Sequence, residues 1–165
     1  MKTIEIKRVD YNAPPQAQAL VALLKVYALD PLGGGEALPS SVGDALCVEL
    51  AKYPHASSFI AWTTGADREQ PIGLINCFET LSTFKAKPLI NIHDIVVHPD
   101  FRGRGIGKAL IEHVQAVAIQ RGCCKLTLEV LSNNRAAMGL YRHLGFAPYE
   151  LDSQHGQALF FQKWL

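Results

Sequence analysis

The chain has 165 residues, is 48% hydrophobic and carries a formal net charge of +1. That is enough chain to bury a sizeable core, and residues 1–165 read as a single domain. The near-neutral balance argues against nucleic acid or an anionic membrane as a partner, and no apolar run approaches the roughly 20 residues that span a bilayer.

Met1-Lys2-Thr3-Ile4-Glu5 lacks the apolar core of a signal peptide, so a cytoplasmic location is expected. Cys47, Cys77, Cys123 and Cys124 form no C-x-x-C pair. Zinc and thioredoxin-like chemistry are therefore disfavoured, no metal is expected, and free thiols in a reducing compartment are the natural reading.

Thr3 to Val9 alternates as a first strand. Pro14 and Pro15 suit a helix start, Leu20, Val21, Leu24 and Tyr27 give its apolar face, and Asp30-Pro31 ends it. Gly33-Gly34-Gly35 is a connection and not a P-loop, because no strand precedes it and no Gly-Lys-Ser/Thr follows. Ser40 or Ser41 caps the next helix, with Val42, Leu46 and Leu50 as its buried face and Tyr53-Pro54 as its end. Ser58 to Trp62 and Pro71 to Phe78 make a hairpin about Gly65-Ala66-Asp67. Leu81 to Pro88 reads as a connection and Leu89 to Val97 as the central strand. A helix then runs to about Arg121 and stops at Gly122. Lys125 to Val130 is a strand with Glu129 on its polar face. Ser132, Asn133 and Asn134 offer caps for a helix over Ala136 to Leu144. Phe146 begins another strand, and Ala158 to Trp164 forms the last. Phe160, Phe161 and Trp164 are expected to bury in the sheet, a partner chain being the alternative.

The chain is organised around Val97-His98-Pro99-Asp100-Phe101-Arg102-Gly103-Arg104-Gly105-Ile106-Gly107-Lys108. A β-branched run (Ile92, Ile95, Val96, Val97) precedes it, and a helical pattern follows. Glycines at every second position let the backbone turn with φ > 0 and approach a ligand closely. The N–H groups that open the helix then favour an anion. Arg102, Arg104 and Lys108 crowd this end of the helix, where cations are unfavourable by about 0.3–1 kcal/mol each. A pyrophosphate in the turn accounts for all three. The G-x-G-x-x-G dinucleotide pattern is not met, since the glycines run G-x-G-x-G. Nucleic-acid binding through the Arg-Gly turn would call for a broad basic face that the net charge does not supply.

Arg102-Gly103-Arg104-Gly105-Ile106-Gly107 resembles the R/Q-x-x-G-x-G/A signature of the GNAT superfamily of N-acetyltransferases. The run from Leu128 through Glu129, Asn133, Asn134 and Tyr141 to Leu144-Gly145-Phe146 resembles the same family, and the close match covers about residues 89 to 148. The resemblance implies an α/β fold: a mixed, mainly antiparallel sheet of six to seven strands, helices on both faces and a splayed central strand pair. It implies acetyl-CoA as the acyl donor. Ile95, Val96 and Val97 would pair with the pantetheine arm, and the Val97 N–H would face the thioester oxygen. Backbone from Gly103 through Gly105, Ile106 and Gly107 to Lys108 would hold the pyrophosphate, with charge from Arg102 and Arg104. Asn134 matches the family's asparagine that binds the pantetheine arm.

The resemblance also makes Tyr141 the general acid that returns a proton to the CoA thiolate; a phenol of ordinary pKa about 10 suits that task. The attacking amine must be neutral, so a base is useful, and Glu129, twelve positions before Tyr141, is the first choice. His93 and Asp94, facing opposite ways on the central strand, and Glu79 are alternatives, while His98 before Pro99 reads as a turn residue. The expected reaction moves an acetyl group to a primary amine, on a small molecule or a protein N-terminus, by direct transfer in a ternary complex. No acidic cluster marks a polyamine or aminoglycoside site. A non-catalytic acyl-CoA-binding domain of the same fold is the alternative, and the sequence leaves homodimerisation open.

Overall fold

The computed structural model describes residues 3–64, 69–149 and 159–165. The chain divides into two compact units, Met1–Leu131 and Ser132–Leu165.

The first unit is built on a five-stranded sheet in the order β1-β2-β3-β4-β5. The strands are β1 Thr3–Arg8, β2 Ala56–Thr64, β3 Gln70–Ser82, β4 Lys87–Val97 and β5 Leu126–Leu128. The first four pair antiparallel, and β4 pairs with β5 in parallel. This mixed, mainly antiparallel pattern is the expected one, but the expected count of six to seven strands is not met among the described residues. Two sequence readings fail for separate reasons. The N–H of Phe146 is committed to the carbonyl of Tyr141 at 2.9 Å and is not offered to a ladder. Residues 159–165 carry no strand, and Phe160, Phe161 and Trp164 stand exposed instead of entering the sheet. That reading rested on an apolar run, and hydrophobicity without a register-matched edge does not make a strand. The turn at Gly65-Ala66-Asp67 and residue Ala158 lie outside the described residues.

Helices cover both faces of the sheet, as expected. Helices α1 Pro14–Leu29 and α2 Ser40–Lys52 pack on one face, where Leu20, Leu23, Cys47 and Leu50 meet Ile60, Leu74 and Val96. Helix α3 Ile106–Gln120 covers the other, where His113 stacks edge-on against Phe59 at 4.8 Å. The buried residues of α2 are Gly43, Cys47 and Leu50, so its inner face is turned one position from the expected one and Val42 is exposed. Gly43 explains the turn: a Cβ there would stand 3.2 Å from Val21 Cγ1, so the missing side chain lets α2 close on α1.

The hairpin joining β3 and β4 is tighter than expected, because both strands run on into the stretch read as a connection. The β3–β4 register shifts at one point: Asn76 faces Asp94, yet Cys77 faces Ile92. His93 is therefore the extra residue of a β-bulge, the usual device for re-aiming side chains near a site.

The second unit contains α4 Arg135–His143. Asn134 caps it, its side-chain oxygen accepting from the Ala137 N–H at 3.2 Å. The helix ends in a Schellman motif on Gly145 (φ 86°): the N–H of Gly145 bonds the Arg142 carbonyl, and that of Phe146 the Tyr141 carbonyl. The Tyr141 and Phe146 rings, 5.9 Å apart, supply the accompanying apolar contact.

Candidate active site

The site begins where β4 loses a neighbour. Strand β5 pairs only with Ile90–Ile92, so His93–Val97 have no strand beside them on that edge among the described residues. The edge opens because β5 stops at Leu128; a divergence of the two strands is not part of this pairing. The N–H of His98 bonds the Ile72 carbonyl on the β3 side at 2.9 Å. Alternation along the strand turns the Val97 N–H the other way, into the open edge. Ile95, two positions back, presents its N–H to the same edge, while the side chain of Val96 is buried beneath α1 and α2.

The glycine turn follows directly. Pro99–Phe101 form one 3₁₀ turn, and Gly103 and Gly105 take φ 74° and 77°, the left-handed region that only glycine enters freely. A Cβ at either would meet no described atom within 4 Å, so the space above the turn is open. Gly105 is the N-cap of α3, and its carbonyl takes the N–H of Ala109 at 3.0 Å. The N–H groups of Ile106, Gly107 and Lys108 find no acceptor among the described residues. They form an anion-binding helix start, with Ile106 buried as its anchor.

The basic side chains are partly committed. Arg102 donates through Nη2 to Asp30 Oδ2 at 2.7 Å and through Nε to the Val97 carbonyl at 3.2 Å. Arg104 bonds the Asp100 carbonyl and lies over the Phe101 ring, 5.2 Å from its centroid. Lys108 pairs with Glu112 at 3.7 Å.

On the α1–α2 face, a pocket of about 520 Å³ opens beside β4. Leucines 24, 38, 46 and 50 and the rings of Tyr27 and Phe78 wall it, Gly33 and Gly34 edge it, and Asn76, His93 and Asp94 supply its polar groups. Sequence alternation set His93 and Asp94 on opposite faces; the bulge brings both to this pocket. His93 also rests edge-on against Phe78 at 5.4 Å. The Tyr27 phenol is pushed up, by burial first and by the Asp94 carboxylate second.

Behind Asp94 runs a polar chain, buried at its centre, that the sequence did not disclose. Asn76 Nδ2 donates to Asp94 Oδ2 at 3.0 Å, and Ser58 Oγ donates to Asn76 Oδ1 at 2.6 Å. Tyr11 Oη lies 2.9 Å from Ser58 Oγ. Ser58 has used its one proton on Asn76, so the Tyr11 hydroxyl must donate. Burial is the first cause that holds the Tyr11 phenol up, in keeping with a donor that stays protonated. Ser58 and Asn76 carried no signal of their own in the sequence, since polar residues on a strand normally read as its solvent face.

Glu129 is one residue beyond β5, which is shorter than the expected Lys125 to Val130. It is exposed rather than set on a strand face, and its side chain makes no hydrogen bond or ion pair with the described residues. Glu79, another alternative base, is paired with Arg121 at 2.9 Å. His98 caps the 3₁₀ turn, as a turn residue should. In the second unit, Asn134 and Tyr141 are two turns apart on one side of α4, and Tyr141 is buried. The Asn134 oxygen is held by its capping bond, which leaves the Nδ2 donors without a partner among the described residues.

All four cysteines are free, Cys47 and Cys77 buried, and burial pushes the Cys77 thiol up to about 12, so it is inert. Among the described residues no cluster of three His, Cys, Asp or Glu could hold a metal, and no helix is long and apolar enough to cross a membrane.

The family model described as "Acetyltransferase (GNAT) family" matches residues 22–146. A streptothricin acetyltransferase from Streptomyces lavendulae is 33% identical over 140 residues, covering 78% of this chain and 71% of that one. A thialysine N-epsilon-acetyltransferase from Bos taurus is 47% identical over 64 residues, 39% of this chain; the chain spans only 37% of that relative's length. Among solved structures, an aminoglycoside N-acetyltransferase in complex with CoA superposes with a TM-score of 0.75 at 23% identity, covering 99% of this chain and 96% of that one. That likeness speaks to the fold.

Proposed function

The chain belongs to the GNAT acetyltransferase family, and from that premise we propose that it moves an acetyl group from acetyl-CoA to a primary amine by direct transfer, as one acetyltransferase domain over residues 1–165. The observation that carries the reading is the junction of an open β4 edge with a helix start that has no side-chain cap among the described residues. The Val97 N–H is directed into that edge, and the N–H groups of Ile106, Gly107 and Lys108 wait at its end. In this reading the pantetheine arm adds to the edge at Ile95 to Val97, and the pyrophosphate takes the turn from Gly103 to Lys108. Arg104 and Lys108 add charge. Arg102 adds charge too, from a position fixed by Asp30 and Val97.

Negative charge develops on the thioester oxygen as the amine attacks. The Val97 N–H is the donor proposed to meet it, and losing one such donor typically costs about 2.7–4 kcal/mol. Asn134 offers its amide N–H groups, which have no partner among the described residues, to the pantetheine arm. Tyr141 returns the proton to the leaving thiolate. Glu129 removes the amine's proton, directly or through water, with no ion pair from the described residues competing for its carboxylate. The acceptor is a small-molecule amine, in keeping with relatives whose names specify thialysine and streptothricin.

The test is thermal unfolding with and without acetyl-CoA, followed by CoA release over a panel of amines. Acetyl-CoA at 100 times its dissociation constant should add about 2.7 kcal/mol. No stabilisation at millimolar acetyl-CoA would overturn the donor site, and stabilisation without CoA release on any amine would favour the non-catalytic acyl-CoA-binding domain instead.

A further inference from the structure

Building on the acetyl-transfer reading, we propose that the pocket between α1, α2 and β4 takes a monocationic amine with an apolar body, held by Asp94, and that Asn76, Ser58 and Tyr11 are the positioning residues for that carboxylate.

The charge count comes first. Asp94 is the one carboxylate among the described residues that line the pocket. The carboxylate nearest along α1, Asp30, is already paired with Arg102 at 2.7 Å. A polycation brought here would leave its remaining charges against leucine and would lose their hydration without return. A single ammonium group meets a single carboxylate.

The orientation of that carboxylate comes second. Asp94 Oδ2 accepts from Asn76, while Oδ1 takes no hydrogen bond from the described residues. The chain behind it has one direction only, Tyr11 to Ser58 to Asn76 to Asp94, and every proton points toward the acid. Ser58 and Asn76 are buried, and each is satisfied through the next. A network of this kind holds one rotamer and polarises along its length. It fixes Asp94 at the bulge with one oxygen available to a ligand.

The walls come third. The rings of Tyr27 and Phe78 share the pocket with Asp94, and aromatic faces attract an ammonium as well as an apolar stem. The four leucines are suited to a hydrocarbon or aryl body, and a volume of about 520 Å³ suits a small molecule.

The experiment measures binding by calorimetry in the presence of CoA for 2-phenylethylamine, its neutral counterpart 2-phenylethanol, spermidine and kanamycin. CoA release is measured in parallel with acetyl-CoA. 2-Phenylethylamine should bind most tightly. Asp94→Asn should weaken the amine at least tenfold and leave the alcohol within twofold. Asn76→Leu should give the same charge-selective loss. Tyr11→Phe, which removes one hydroxyl from a half-buried residue and keeps the ring, should give a smaller loss of the same kind; a merely structural role would weaken amine and alcohol alike. Tighter binding of spermidine or kanamycin, equal losses for amine and alcohol, or no binding of any of the four would overturn the assignment. Amine binding without CoA release would overturn acetyl transfer and leave the pocket assignment standing. Transfer to the polycations alone would do the reverse.

Discussion

Arg102 Nη2 donates to Asp30 Oδ2 across 2.7 Å, joining residues 72 positions apart in sequence. Asp30 caps the end of α1 and accepts, through its other oxygen, from the N–H of Leu32 at 2.9 Å. The same guanidinium holds the Val97 carbonyl at the end of β4. One side chain of the basic turn therefore fixes both the open edge beside it and the connection whose Gly33 and Gly34 edge the pocket.

Replacing that arginine should weaken more than phosphate binding. Arg102→Ala is expected to cost about 1 kcal/mol of stability, as a partly exposed charged pair does. The pH dependence has a fixed sign. The Leu32 N–H first, and Arg102 second, hold the Asp30 carboxyl below its ordinary value of 3.8. The pair's contribution is therefore present above that value and lost as pH falls through the lower, folded value. The gap in urea midpoint between wild type and Asp30→Asn should therefore be smaller at about pH 3 than at about pH 6. An unchanged gap would show that the pair carries no stability.

Gly73 sets how closely α3 approaches the sheet. A Cβ there would stand 3.0 Å from Ile106 Cγ2, 3.1 Å from Leu110 Cδ1 and 3.3 Å from the Val96 carbonyl. Ile106 and Leu110 are fully buried and have little room to retreat. Gly73→Ala should therefore cost about 1–3 kcal/mol through overpacking. Because Ile106 is the first residue of α3, the displaced helix start should also lose acetyl-CoA affinity. Chemical denaturation and calorimetry on the same variant check both expectations.

The sequence made the β4–turn–α3 segment legible because its signals are local: a β-branched run, alternating glycines and cations at a helix start. The boundaries of α1 and α4 were legible for the same reason, through Pro14 and Gly145. The pocket was not. Its acid and histidine share a side only because of a bulge, and a bulge is a register between two strands, invisible in either alone. Asn76 and Ser58 are buried by the helices that cross them, and no period announces that. Phe160, Phe161 and Trp164 misled because an apolar run names a residue's preference but not its neighbour.

Gly105 separates backbone strain from ligand space. At φ 77° a β-branched side chain is strained by about 1–2 kcal/mol, although no described atom lies within 4 Å of its Cβ. Gly122, the C-terminal stop of α3, shares the constraint at φ 70° with the same open surroundings. Gly105→Val and Gly122→Val should lower the melting temperature by similar amounts. Only Gly105→Val should weaken acetyl-CoA, at least tenfold, because only its side chain intrudes on the proposed phosphate site. Equal affinity in the two variants would remove the pyrophosphate from the turn.

The proton-transfer assignments separate in steady-state kinetics. Tyr141→Phe keeps the ring on Phe146 and removes only the hydroxyl, so the fold and acetyl-CoA affinity should persist. If that hydroxyl protonates the thiolate, kcat should fall by about 10²-fold, the low end of general acid–base effects. Glu129→Gln should act in the same parameter, lowering kcat by a similar factor with KM for the amine within about twofold. Asp94→Asn should instead raise KM, since its carboxylate is proposed to hold the ammonium group rather than to move its proton. A Glu129→Gln enzyme with unchanged kcat, beside an Asp94→Asn enzyme that has lost it, would transfer the role of base to the bulge. The exposed position of Glu129 beyond β5 would then be the physical reason.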